Sequence, residues 1–257
     1  MSGRVTFVWG LKRSGIHLVV GWLYANLGGS AQVDLDAGDL APQLRDGFRD
    51  PAAGVAFHNN CGGWHSRRFD LGELTRPDLE RAAARQPTTV FGIEDCALGR
   101  SPVADLPGAA HVLVLRDPLN NLASRLAGAV AKPEVFRVDE AYVDLLDAYC
   151  AEYLGHTDHL PHRVVVSFNR FVVDRAYRDS LAEALGVENR DQVHEVSSYG
   201  GGSSFATEAP SAEELVSRFR QHPIPPDLLA LLADRPSVQE ACSVVFGYDL
   251  AECGAGA

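Results

Sequence analysis

Short apolar runs alternate along this chain with longer amphipathic stretches. Residues 5–9 form an apolar run with Arg4 and Gly10 at its edges. A run of that kind reads as a buried parallel strand. GLKRSG follows, then HLVVGWLYANLGG, an apolar helix ended by glycines. Further strands are predicted at 54–58, 88–93, 111–115 and 163–168. Helices are predicted at 76–86, 119–129, 138–156 and 177–185, and residues 38–49 read as a polar helix. Two or three short helices close the chain, before a GAGA tail that should fray. Strands alternating with helices imply a parallel sheet wound on both faces. No internal repeat or linker interrupts residues 1–257, so one domain is expected. Such sheets bind ligands at the carboxyl ends of their strands. The unusual residues fall there: Lys12-Arg13, His58, Glu94-Asp95, Arg116 and Asn169.

Composition narrows the ligand. With 46% hydrophobic and 22% charged residues, the chain is ordinary globular protein. No apolar run approaches the about 20 residues of a membrane span. The opening MSGRVTFVWG enters a strand without a signal-peptide pattern, so a soluble cytoplasmic protein is expected. The net charge of −11 disfavours nucleic acid and anionic membrane as partners. An anionic ligand must then be held by a local cluster of cations against the global field. Lysine occurs at positions 12 and 132 alone, the other basic residues being arginine, so a lysine in a glycine loop stands out. The 5 cysteines are scattered without a CxxC pair, which argues against a disulfide framework or a cysteine zinc site. His156, His159 and His162 recur every third residue, but Pro161 breaks the helix that would align them. No metal site is expected.

Gly10-Leu11-Lys12-Arg13-Ser14-Gly15 follows a strand and opens a helix. Glycines let such a turn aim N–H groups at an anion, and the helix N-terminus adds partial positive charge. The Walker A pattern would end in Gly-Lys-Ser/Thr, whereas Gly15-Ile16-His17 stands here. The phosphate lysine and the magnesium hydroxyl are both absent, which disfavours an ordinary kinase or ATPase. A tight turn carrying two exposed basic residues is the alternative. A second anion signature is HVLVLRDPLNNLASRL, with Arg116 at a strand end and Ser124 eight residues on. A helix between them returns Ser124 to the strand tip, where arginine and serine could grip one phosphate. The alternative is an Arg116–Asp117 pair with Ser124 as an ordinary helix residue.

Together, LKRSGIHLVVGWL and VLRDPLNNLASRL resemble the nucleotide-binding elements of sulfotransferases that use 3′-phosphoadenosine-5′-phosphosulfate (PAPS). VVVSFNRFVVDRAYRDSLAEALGV resembles the family's later strand and helix, and YGGGSSF occupies the place of its late glycine loop. The pieces run in family order from residue 5 to about 205. The likeness is nearest to bacterial sulfotransferase-like proteins with an RSGxH loop. The resemblance implies a three-layer α/β fold of the P-loop-NTPase-like type, with a central parallel sheet flanked by helices. It implies that Lys12, Arg13, Ser14, Gly15, Ile16 and His17 contact the 5′-phosphosulfate and that Arg116 and Ser124 hold the 3′-phosphate. Ser203 and Ser204 would close over it. PAPS would be the donor, adenosine 3′,5′-bisphosphate the product, and no metal would be required.

Sulfuryl transfer needs in-line geometry and charge stabilisation, which Lys12 and Arg13 are placed to supply. Arginine keeps its proton, so Arg13 would clamp rather than donate. The small-molecule acceptor, a hydroxyl or amine, needs a proton acceptor. The family uses a histidine or glutamate near the end of the strand before the 3′-phosphate strand. Glu94 occupies that place and is the expected base, with Asp95 able to exchange roles and His58 second. The alternatives are a polar strand end capping a turn at Glu94-Asp95, and a hydrogen-bonded loop histidine at His58. The rival functions are a catalytically dead nucleotide- or partner-binding relative and a divergent P-loop kinase. The sequence admits a homodimer.

Overall fold

The computed structural model describes residues 4–36, 38–59, 71, 74–100, 106, 108–133, 135–192, 211–220 and 222–250. In chain order the first elements are β1 (Arg4–Gly10), α1 (Ile16–Asn26), β2 (Val33–Asp34), a 3₁₀ turn (Pro42–Leu44), β3 (Gly47–Asp50), β4 (Val55–His58) and α2 (Arg76–Ala83). Then come β5 (Thr88–Glu94), β6 (Ala109–Leu115), α3 (Pro118–Ala131), α4 (Glu140–Leu154), β7 (Val164–Ser167), α5 (Phe168–Val173) and α6 (Arg175–Leu185). The chain continues through α7 (Ala212–Ser217), α8 (Pro226–Ala233) and α9 (Pro236–Val244).

The strands form one sheet in the order β2-β3-β4-β5-β1-β6-β7. From β4 to β7 every pairing is parallel, while β3 runs antiparallel to β4 and β2 antiparallel to β3. Alternation along each strand divides the apolar residues between two faces. Phe7, Trp9, Phe91, Ile93 and Leu113 pack with buried residues of α2, α3, α4 and α9. Val8, Val90, Val112 and Val114 pack with those of α1, α5 and α6. Helices thus cover both faces, giving the three layers expected. Because both faces are buried, the central strands read as continuous apolar runs.

The strands predicted at 5–9, 54–58, 88–93, 111–115 and 163–168 are all present, the last stopping at Ser167 because Phe168 begins α5. The polar helix predicted at 38–49 is absent. Leu40 and Leu44 are buried at a helical spacing, but Pro42 starts a single 3₁₀ turn. Gly47, at φ 147, then enters β3, and a Cβ there would lie 2.0 Å from the Phe57 carbonyl oxygen. Phe48 of β3 meets the Tyr24 ring edge-on, with centroids 4.8 Å apart.

Two helix starts position the site. α1 begins after Gly15, whose φ of 86 is left-handed. A Cβ on Gly15 would lie 2.0 Å from the Phe168 ring, so the position demands glycine. α3 begins with Pro118 at its first turn, and the Asp117 carboxylate accepts the Asn120 N–H at 2.9 Å.

Candidate active site

The loop between β1 and α1 is anchored from beneath. Lys12 and Ser14 are buried rather than exposed, which excludes a turn with two solvated cations. Arg13 adopts a left-handed φ of 71 and Ser14 N–H returns to the Leu11 carbonyl at 2.9 Å. Lys12 N–H donates to Asp95 Oδ1 at 2.9 Å. The N–H groups of Gly15, Ile16 and His17 find no acceptor among the described residues. Ser14 Oγ is buried and likewise without a hydrogen-bond partner. Unpaired donors at a helix N-terminus, with a buried hydroxyl beside them, form a cradle for an anion.

Beneath the loop lies a buried ionic network that the sequence reading missed. Asp95, just past β5, is held at a left-handed φ of 51. Its carboxylate takes both oxygens to Arg125 Nη1 at 3.0 Å, and Lys12 Nζ stands 3.7 Å away. Arg125 is fully buried. It also donates to the Arg137 carbonyl, at 3.2 Å from Nε and 3.0 Å from Nη2, and lies 4.2 Å over the Tyr142 ring. Asn121 Nδ2 donates to the Lys12 carbonyl at 3.2 Å, and Tyr142 Oη donates to Asn121 Oδ1 at 2.5 Å. The Lys12 peptide is therefore gripped at both its N–H and its carbonyl. One signal was in the sequence: Asp117, Asn121 and Arg125 recur every fourth residue, putting two polar side chains on the buried face of α3.

The second anion signature joins the first through Arg13. Arg13 Nε donates to Ser124 Oγ at 3.1 Å. Arg116 Nη1 donates to the Arg13 carbonyl at 2.9 Å, and Nη2 to the Leu215 carbonyl at 2.6 Å. The Arg116 guanidinium lies 5.3 Å over the Phe168 ring, the ring that also fills the space at Gly15. Phe136 lies 5.4 Å from the Arg13 guanidinium. Asp117 caps α3, as described. Lys12, Arg13, Arg116, Ser124 and Arg125 thus converge at the carboxyl ends of β1 and β6. Ser203 and Ser204 lie outside the described residues.

Glu94 ends β5 beside Gly10 and is buried. Strand alternation sends it towards α1, where His17 is its neighbour. Burial pushes its pKa above the ordinary carboxylate range. Asp95 adds to that rise, while His17, Lys12 and Arg125 pull it back. His58 is not brought to this cluster. Its Cα pairs with Phe91, three residues short of Glu94. Its Nδ1 meets the Leu44 carbonyl at 2.7 Å, and its ring stacks on Phe91 with centroids 5.0 Å apart. It lines a separate cavity of about 220 Å³ with Ala56, Ala82 and Arg85. Burial pushes its pKa down to about 4. His58 is the hydrogen-bonded histidine of the alternative reading.

The histidines of the 156–162 stretch and the buried thiols lie apart from the loop. His156 stands 3.4 Å from Glu240, and His159 N–H donates to Glu152 at 3.0 Å. Cys96, Cys150 and Cys242 are buried thiols outside any disulfide among the described residues, and Cys61 and Cys253 lie outside the described residues. Among the described residues no helix is long and apolar enough to cross a membrane.

No family model matches the sequence, and no curated protein matches it. Among solved structures, the sulfotransferase domain from the Synechococcus PCC 7002 olefin synthase aligns with a TM-score of 0.52. The alignment covers 97% of this chain and 97% of that one, at 14% sequence identity. The chain has the P-loop-like α/β fold of a sulfotransferase domain.

Proposed function

We propose that this protein is a PAPS-dependent sulfotransferase that moves a sulfuryl group to a hydroxyl or amine of a small molecule. The observation that carries the reading is the loop of residues 12–17. It combines N–H groups and a buried Ser14 hydroxyl that find no partner among the described residues with flanking Lys12 and Arg13, in a chain of net charge −11. These donors fit the anionic end of an adenosine phosphosulfate, and Arg13, Ser124 and Arg116 beside them fit its 3′-phosphate. When bound, PAPS supplies the activated sulfuryl group.

This chain's own residues do the rest. The loop N–H groups and Lys12 hold negative charge in a preorganised frame, with no reorganisation needed at the moment of reaction. The Asp95–Arg125 network fixes the Lys12 peptide in place. Glu94 stands at the loop's edge beside His17, where a carboxylate favours the positive charge that develops as the acceptor gives up its proton.

The test is calorimetric titration with adenosine 3′,5′-bisphosphate, beside ADP and ATP with and without Mg²⁺. The reading expects binding of the bisphosphate independent of metal. Binding of ATP only with Mg²⁺ would replace it with a divergent kinase. Bisphosphate binding without PAPS turnover across an acceptor panel would support a catalytically dead relative.

A further inference from the structure

His17 is held by a hydrogen-bonded chain that runs away from the loop. Its Nε2 lies 2.8 Å from Asn59 Oδ1. Asn59, the first residue past β4, is buried and donates from Nδ2 to Asp46 Oδ2 at 2.8 Å. Asn59 N–H also donates to the Asp46 carbonyl at 2.8 Å. A carboxylate can only accept, so the NH₂ end of Asn59 must face Asp46. Its carbonyl end then faces His17 and can only accept as well. The proton on neutral His17 therefore sits on Nε2, and the lone pair sits on Nδ1. Nδ1 has no partner among the described residues.

Resting on the reading above, we infer that His17 Nδ1 is the group that takes the acceptor's proton, with Asn59 and Asp46 as positioning residues. As an electron pair of the acceptor oxygen or nitrogen forms the new bond to sulfur, its proton passes to Nδ1, the bond from sulfur to the bridging phosphate oxygen breaks, and adenosine 3′,5′-bisphosphate leaves with that bond's electron pair. The imidazolium keeps its Nε2–H on Asn59, whose carbonyl is polarised by the Asp46 carboxylate. Glu94, on the adjoining strand end, then stabilises the cation as a carboxylate instead of carrying the proton itself. A carboxyl desolvated beside Asp95 ionises reluctantly, and a cation arriving at His17 offsets that cost. The division of labour is that of a base and its orienting partners. His17 is a catalytic residue in this scheme, although the sequence points to it as a phosphosulfate contact.

The first experiment needs neither cofactor nor acceptor. Nitrogen NMR of the ¹⁵N-histidine-labelled full chain, with His17 assigned by its loss in His17→Gln, reads which ring nitrogen carries the proton. Protonation at Nε2 in the wild type is expected. Asp46→Ala alters an exposed residue and frees the Asn59 amide to turn over. It should shift His17 towards the Nδ1–H form. A wild type in the Nδ1–H form, or an unchanged tautomer in Asp46→Ala, overturns the arrangement.

The second experiment follows release of adenosine 3′,5′-bisphosphate from PAPS with water as acceptor, against pH. His17→Gln should lower kcat at least about 100-fold with bisphosphate affinity kept within about threefold. Asp46→Ala should lower kcat and displace the acid limb of the pH profile. A His17→Gln enzyme with wild-type kcat, or one whose loss is entirely in nucleotide affinity, overturns the base assignment. Failure of the wild type to bind the bisphosphate sinks the sulfotransferase reading instead, while the tautomer result stands apart from it.

Discussion

Arg125→Met removes the guanidinium that neutralises Asp95 and spans two loops. In the wild type Arg125 Nη1 meets both Asp95 oxygens at 3.0 Å, and both side chains are buried. Breaking one half of such a pair typically costs about 3–5 kcal/mol, because the surviving charge stays in low dielectric. Here Asp95 keeps the Lys12 N–H at 2.9 Å and Lys12 Nζ at 3.7 Å. The loss should therefore fall near the lower end, about 3 kcal/mol. For a chain of this size that lowers Tm by about 6–12 °C. Urea and thermal unfolding of Arg125→Met, Asp95→Asn and the double variant form the assay. The double variant should be less destabilised than the sum of the singles by at least about 1 kcal/mol, the signature of coupled neighbours. Arg125→Lys should recover only part of the loss, since an ammonium cannot reach Asp95 and the Arg137 carbonyl with the same fork. A stability for Arg125→Met within about 0.5 kcal/mol of wild type, the range of an ordinary surface change, would refute the network as the loop's anchor. Additive single variants would refute it equally.

Gly15→Ala should destabilise by about 2 kcal/mol or more in chemical denaturation, because left-handed strain adds to a Cβ placed 2.0 Å from the Phe168 ring. Wild-type stability there would contradict the helix start. Arg116→Ala should weaken bisphosphate binding about tenfold or more in calorimetry, by releasing the Arg13 carbonyl and a cation together. Glu94→Gln should lower PAPS turnover with little change in nucleotide affinity, and wild-type turnover would remove Glu94 from the chemistry. Two buried groups should give opposing pH slopes in unfolding experiments. His58, depressed from 6.5 to about 4, adds stability that is complete above pH 6.5 and is lost as pH falls towards 4. Asp117, raised from 3.8 to about 6 chiefly by burial, adds stability that is complete below about pH 4 and is lost as pH rises through 6. Each slope approaches about 1.4 kcal/mol per pH unit between pH 4 and 6, and the two run in opposite directions. His58→Gln should expose the falling slope with rising pH and Asp117→Asn the opposite one. Parallel profiles for both variants would refute these environments.

What could be read from the sequence follows the physics of each signal. Buried parallel strands announce themselves because both faces are apolar, and all five predicted strands of the parallel core are present. The β2–β3 extension was hidden because Leu40 and Leu44 imitate helical spacing. What decides against a helix is a three-dimensional event, the close approach of Gly47 to the Phe57 carbonyl. The glycine turn into α1 and the return of Ser124 to the tip of β1 were legible, because a left-handed helix start needs glycine and two turns of helix bring residue 124 back. Their actual link was not: Arg13 reaches Ser124 across more than a hundred residues of chain, and Arg116 holds the backbone of that same Arg13. His58 and His17 show the same limit from opposite sides. One ends a strand and the other opens a helix, and the sequence ranks His58 higher as a base. The register leaves His58 facing the α2 layer, with a pKa too low for a base near neutrality and its Nδ1 at the Leu44 carbonyl. Asn59 and Asp46, polar loop residues with no motif of their own, set the tautomer of His17 through two hydrogen bonds that no spacing rule encodes. Residue types and periodicity locate the loop at the start of α1, whereas the arrangement of its neighbours arises from which side chain each strand end and loop turns towards it.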